Sequence, residues 1–109
     1  MKARVRYMRI IVFFDLPMDT PAQRRHYAKF RKKLIKAGFL MLQKSVYSKL
    51  AINDRVANGV INKLNEIKPP QGLVQALKVT ERQYASIVQI VGDSSEREEL
   101  EDTSNLVVL

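Results

Sequence analysis

The amino-acid sequence predicts an α+β domain in which an antiparallel sheet carries two helices on one face. Three observations support this. The run Ile10–Phe14 is apolar, β-branched or aromatic throughout, and stops at Asp15-Leu16-Pro17, which is the pattern of a buried strand. Two amphipathic helical stretches each open on a capping residue, Thr20 and Asn53. Extended stretches then follow each helix, so the order reads strand, helix, one or two strands, helix, strand, strand.

The first strand is expected over Met8 to Leu16, with Pro17 holding Leu16 out of helical geometry. Thr20 starts the first helix with Pro21 at its first position and Gln23 completing a capping box, and Gly38 is its natural stop. Within it Gln23, Tyr27, Phe30, Leu34 and Ala37 recur at spacings of four and three, which makes an inward stripe. Phe39 to Leu50 reads as extended chain, either one bent strand or a tight hairpin around Lys44-Ser45. Asn53 caps the second helix, with Val56, Ala57, Val60, Ile61, Leu64 and Ile67 facing inward, and Pro69-Pro70 ends it. Two more strands are expected, near Leu73–Thr80 and Tyr84–Val91, before Gly92 closes a domain over residues 1–92. Residues 93–109 change character, with six carboxylates and one arginine giving way to an apolar end. The simplest architecture for this order is the ferredoxin-like one. Helices on one face leave the other bare, and because the first strand reads as buried on both sides, a symmetric homodimer is expected.

Length and composition fit this reading. The chain has 109 residues and 12.5 kDa, enough for one domain with a real core. It has no cysteine, which excludes disulfides and thiolate metal sites. Lys2, Arg4 and Arg6 precede apolar residues, but the run ends at Asp15, too soon for a secretory segment. With no stretch of membrane-spanning length either, a cytoplasmic protein is expected.

Charge gives the first functional signal. Residues 1–55 hold 14 lysines and arginines against 3 carboxylates, residues 56–109 hold 5 against 8, and the formal net charge is +8. A basic face for a polyanion follows, with an acidic region put to another use. Arg25, Lys29, Lys32 and Lys36 fall opposite the apolar stripe of the first helix, Arg24 joins Arg25 in its first turn, and Arg4, Arg6 and Arg9 add charge around the first strand. Backbone N–H groups at a helix start also favour anions, and mixed arginine and lysine suit phosphate tracking. The aromatic residues fall mostly on core periodicity, which favours duplex backbone over base stacking.

Asp15 is the carboxylate that stands out. It ends the buried strand just before the basic helix. Mg²⁺ prefers hard oxygen ligands and often takes only one or two carboxylates. A two-fold axis near the first strand would supply two copies of Asp15, and the metal would then activate water or stabilise a leaving oxygen. Alternatively, Asp15 simply ends a strand and helps a turn. His26, the single histidine, falls between the two faces of its helix with no second histidine nearby. Ser45 and Ser48 have no base at readable spacing, and no glycine-rich phosphate loop or HExxH motif is present.

Phe14-Asp15-Leu16-Pro17, Arg24-Arg25, Gly38-Phe39, Gln43-Lys44-Ser45-Val46-Tyr47 and the late stretch Ser86 to Gly92 together resemble the CRISPR-associated Cas-two family over about residues 8–92. The wording around Asp15 and the Gly38–Gln43 run resembles members that accompany Cas-nine effectors. The resemblance implies a ferredoxin-like homodimer acting in spacer acquisition, where it bridges dimers of the Cas-one integrase and holds double-stranded protospacer DNA. It also implies a Mg²⁺-dependent endonuclease in which Asp15 is the metal ligand and catalytic residue. Two features depart from the family pattern: Phe14 stands where a tyrosine often precedes the aspartate, removing a hydroxyl near the proposed metal, and the chain extends past Gly92. The acidic tether ends in Leu106-Val107-Val108-Leu109, an apolar segment able to add a strand to Cas-one or to the sister subunit, or else a frayed end. The leading functional expectation is a non-catalytic DNA scaffold; the others are a metal-dependent nuclease and a free-standing ribonuclease or RNA-binding protein of similar fold.

Overall fold

The computed structural model describes residues 6–92, beginning with strand β1 (Met8–Asp15). It continues through α1 (Pro21–Lys36), β2 (Leu40–Gln43), β3 (Val46–Ala51), α2 (Asp54–Ile67), β4 (Leu73–Thr80) and a one-turn helix α3 (Glu81–Ala85). The strands form one antiparallel sheet in the order β2-β3-β1-β4, which is ferredoxin-like. The expected hairpin is real, turning at Lys44-Ser45 with a register shift between Met41 and Gln43.

Both long helices start as their sequences dictate. The Thr20 side chain accepts from the Gln23 N–H and the Gln23 side chain accepts from the Thr20 N–H, closing the capping box. Asn53 Oδ1 accepts from the Val56 N–H at 2.8 Å. Such caps contribute about 1 kcal/mol each. At the far end of α1, Gly38 adopts φ 96°, which lets the chain leave the helix for β2.

Alternation along β1 sorts the domain into two faces. Met8, Ile10, Val12 and Phe14 point under the helices and are buried with Tyr27, Phe30 and Leu34 of α1, Tyr47 and Ala51 of β3, and Ala57 and Leu64 of α2. Phe14 is the hub, with the Tyr27, Phe30 and Tyr47 rings 5.1–5.8 Å away, the Phe30 ring edge-on. Burying each of these rings stabilises the fold by about 2–3 kcal/mol, and edge-on or offset pairs add somewhat more. On α2 the expected inward face is narrower by one residue. Val60, Ile61 and Ile67 pack on the core, whereas Val56 is 42% exposed.

The opposite face of the sheet is bare over most of its length. Phe13 is 37% exposed, Leu77 50% and Leu73 55%, and cross-strand register puts all three on the side away from α1 and α2. Burial of β1 on both sides is therefore incomplete within one chain.

The expected strand at Tyr84–Val91 is not formed. Thr80 and Gln83 make a second capping box, which starts α3 where the sequence reading continued extended chain. α3 folds over the bare face through its side chains. Arg9, on β1, donates from Nε and Nη2 to the Glu81 carboxylate at 2.8 and 2.7 Å, and its guanidinium lies 4.2 Å from the centre of the Tyr84 ring. Arg9 is 2% exposed and Tyr84 5%. The residues after α3 leave this anchor without a strand partner, and Val88, Ile90 and Val91 are 74–86% exposed.

Glu81→Ala would remove the two hydrogen bonds that its carboxylate accepts from the buried Arg9 guanidinium, a loss we expect to cost about 1–3 kcal/mol given the partial exposure of Glu81. Urea denaturation checks this. Arg9→Met combined with Glu81→Ala should recover part of the loss, because both charges are then gone.

Candidate nucleic-acid interface and acidic centre

α1 carries seven lysines and arginines and no carboxylate in its 16 residues. Its apolar stripe is fixed by Tyr27, Phe30 and Leu34 in the core, so the remaining positions must face solvent. Arg25, Lys29, Lys32 and Lys36 are all exposed there, and none forms a hydrogen bond or ion pair with another described residue. Among the described residues the carboxylates that pair with cations do so elsewhere: Glu81 with Arg9, Glu66 with Lys63 and Asp54 with Lys78. The uncompensated charge on α1 is therefore available to an external polyanion.

The remaining basic candidates divide. Arg24 is exposed, but its Nη1 donates to the Met18 carbonyl at 3.0 Å and reaches the Asp19 carbonyl at 3.4 Å, tying the loop to the helix it precedes. Arg6 is exposed. Arg9 corrects the sequence reading: alternation turns it onto the bare face beneath α3, where its charge is consumed by Glu81 and Tyr84 rather than offered to phosphate. Arg4 and the segment Leu106, Val107, Val108 and Leu109 lie outside the described residues.

The sequence reading missed Arg31, whose Nε donates to the Tyr47 hydroxyl at 2.9 Å and so couples α1 to β3. It also missed how the Lys44-Ser45 turn is held. The Tyr27 hydroxyl donates to the Lys44 carbonyl at 3.0 Å and lies 3.2 Å from Ser45 Oγ. A tyrosine on an apolar stripe signals burial but not the target of its hydroxyl.

Asp15 ends β1 with its side chain on the bare face, exposed, and bonded to no other described residue. Its backbone is closely packed. Gly72, at φ 98°, passes so near that a Cβ there would lie 3.0 Å from the Asp15 carbonyl oxygen and 2.6 Å from Leu16 Cδ2. The sequence singled out Asp15 but not this glycine, although Pro69-Pro70 followed by Gly72 ahead of a strand is a turn signal. Among the described residues no three of His, Cys, Asp and Glu gather into a metal-binding group. At this strand end the described residues thus offer Asp15 as a lone unbonded carboxylate, which suits a hard divalent cation only if a second oxygen-rich surface completes the shell.

The Phe14 position is also clarified. Its ring lies in the core on the face opposite Asp15, so the hydroxyl of a tyrosine at this position would enter the aromatic cluster and not the neighbourhood of the aspartate. No described helix is long and apolar enough to cross a membrane.

Comparison with known proteins agrees with this geometry. The family model described as CRISPR associated protein Cas2 matches residues 8–87. A protein of Treponema denticola named CRISPR-associated endoribonuclease Cas2 is 52% identical over 102 residues, covering 94% of this chain and 100% of its own length. Proteins of the same name from Lacticaseibacillus rhamnosus and Streptococcus mutans are 39% and 44% identical, over 94% and 79% of this chain and 99% and 79% of their own lengths.

Asp15→Asn should change stability by less than about 0.5 kcal/mol, since the carboxylate is exposed and unbonded. Gly72→Ala, beside the Asp15 backbone, should cost about 1–3 kcal/mol through its positive φ and the contact with Leu16. Thermal unfolding of the two variants separates a functional aspartate from the structural glycine beside it.

Proposed function

The chain belongs to the CRISPR-associated Cas2 family, and on that premise we propose that it serves spacer acquisition as a homodimeric scaffold. The dimer holds protospacer duplex by its backbone and bridges two dimers of a Cas-one integrase in the cytoplasm. The single observation that supports this best is α1: four exposed cations at helical spacing, with no carboxylate on the helix and no bond to another described residue. Such a surface binds phosphates whatever the base sequence.

The homodimer follows from the bare sheet face. Phe13, Leu73 and Leu77 form an apolar patch there, and Ile87, Val88, Ile90 and Val91 add four more exposed apolar side chains beyond α3. A monomer rarely leaves such a surface to water, and a second copy of the same face covers it with closed symmetry. In the same reading residues 93–109 form an acidic tether, and Leu106 to Leu109 dock on Cas-one or on the sister subunit.

A second reading is a metal-dependent endonuclease, favoured by the name endoribonuclease that its relatives carry. Asp15 lies on the bare face, so a dimer formed through that face brings its two copies to one interface. Bound there, Mg²⁺ would supply Lewis-acid polarisation of a phosphodiester and an activated water. The chain's own contribution is Asp15, presented unbonded by a strand end that Gly72 and Leu16 hold in position.

If the dimer neutralises about six to ten phosphates, duplex affinity should fall roughly 10³–10⁵-fold between about 50 and 200 mM salt. Arg25→Glu with Lys29→Glu should weaken binding to all sequences alike; a sequence-selective loss overturns backbone clamping. Integration by the Cas-one partner should persist with Asp15→Ala once its dimer is verified. Lost integration with an intact dimer moves the nuclease reading to first place. Unchanged Cas-one affinity after deletion of residues 105–109 refutes the docking role of the tail.

A further inference from the structure

On the helix side of the sheet, α1 and the Ile67–Pro70 end of α2 enclose a cleft of about 320 Å³. That is the lower end of the range for small-molecule sites. Its cationic wall is Lys29, Lys33 and Lys68, and its apolar wall is Phe30, Ile67, Pro69 and Pro70, with His26 between them. Among the described residues no carboxylate lines it. The nearest acidic residue in sequence to that turn, Glu66, reaches Lys63 instead, at 3.7 Å.

His26 supplies an independent observation. Its Nδ1 is buried and has no hydrogen-bond partner among the described residues. Buried polar atoms in folded proteins are nearly always paired, and an orphan calls for an explanation. No hydrogen bond to a described residue fixes the ring, and His26 lines the cleft, so a ring N–H is open to a group bound there.

We propose that this cleft binds a phosphomonoester of nucleotide size. The two negative charges of the phosphate are met by the three ammonium groups and the His26 N–H, and the ribose and base lie against Pro69, Pro70 and the Ile67 side chain. A monoester fits better than an internal phosphodiester, because it carries the extra charge and its exposed oxygens can be met from several sides of a concave site. The chemistry is shared by a free nucleotide and by the 5′ end of a nucleic-acid strand. The site is distinct from Asp15, which lies on the other face of the sheet, and it does not depend on the duplex-clamping reading.

The test is a titration of the full chain with 5′-AMP at low ionic strength, read by backbone-amide NMR shifts, with adenosine as control. Saturable shifts in residues 26–33 and 67–70 are expected, with adenosine at least about tenfold weaker. Lys33→Gln combined with Lys68→Gln should weaken 5′-AMP by about tenfold or more, and His26→Phe by several-fold, without a lowered unfolding midpoint. Lys68→Gln alone, at an exposed position, gives a weaker effect in the same direction and guards against misfolding of the double variant. Lys36→Gln, which removes one charge at a residue outside the cleft, should weaken duplex binding while shifting 5′-AMP affinity far less than the Lys33→Gln and Lys68→Gln pair, so failure of either reading is seen separately. Displacement of 5′-AMP by a 5′-phosphorylated oligonucleotide, and not by its 5′-hydroxyl counterpart, identifies the strand end; displacement by neither identifies the free nucleotide. Equal binding of adenosine and 5′-AMP, equal displacement by both oligonucleotides, or wild-type binding by the lysine variants would overturn the proposal.

Discussion

β1 is hydrogen-bonded along both edges, to β3 and to β4, so its side chains have only the two faces of the sheet to occupy. That constraint organises the molecule. Met8, Ile10, Val12 and Phe14 are committed to the helix side, where Phe14 gathers the rings of Tyr27, Phe30 and Tyr47. Arg9, Ile11, Phe13 and Asp15 are thereby committed to the other side. A slip of one residue in register would exchange the two sets, burying Asp15 and Arg9 under the helices and exposing Phe14. The position of the aspartate is thus a consequence of aromatic packing on the opposite face.

The same packing orients the charge. Tyr27, Phe30 and Leu34 hold α1 by one side, and the hydrogen bond from Arg31 to Tyr47 adds a polar tie near the boundary. Arg25, Lys29, Lys32 and Lys36 then have no freedom except to project outward. Mutual repulsion among them destabilises the isolated helix by a few tenths of a kcal/mol per neighbouring pair, a cost that the buried rings outweigh several-fold.

Much of this was legible from local chemistry. Thr20 with Gln23, Asn53 and Pro69-Pro70 act on their immediate neighbours, and the structure bounds its helices where those residues stand. Asp15 was legible because a strand end followed by Leu-Pro is a local event. The failures have a common cause. Thr80 and Gln83 form the same kind of capping box as Thr20 and Gln23, yet the apolar Ile87–Val91 stretch after them reads as a strand when no partner is specified. Strand formation needs pairing along another strand's edge, and residues 87–91 pair with neither of the sheet's edge strands, β2 and β4. Arg9 was misread because its partners are 72 and 75 positions away in the sequence, at Glu81 and Tyr84. No periodicity encodes such a contact. The cleft beside His26 was invisible for a similar reason, since it exists only where the end of α2 meets α1.

Both capping boxes close on glutamine, Gln23 and Gln83, where glutamate serves equally well in geometry. An amide returns the hydrogen bond to the cap backbone but brings no negative charge. At the start of α1 this leaves the positive end of the helix dipole uncancelled, next to Arg24 and Arg25. An amide also neither titrates nor attracts counterions. The capping box of α1 is therefore closed by neutral bonds, and the Arg24 guanidinium beside it donates to neutral carbonyls, so the helix that presents the basic surface keeps its anchorage when ionic strength or acidity changes, even as the surface itself loses its grip on phosphate.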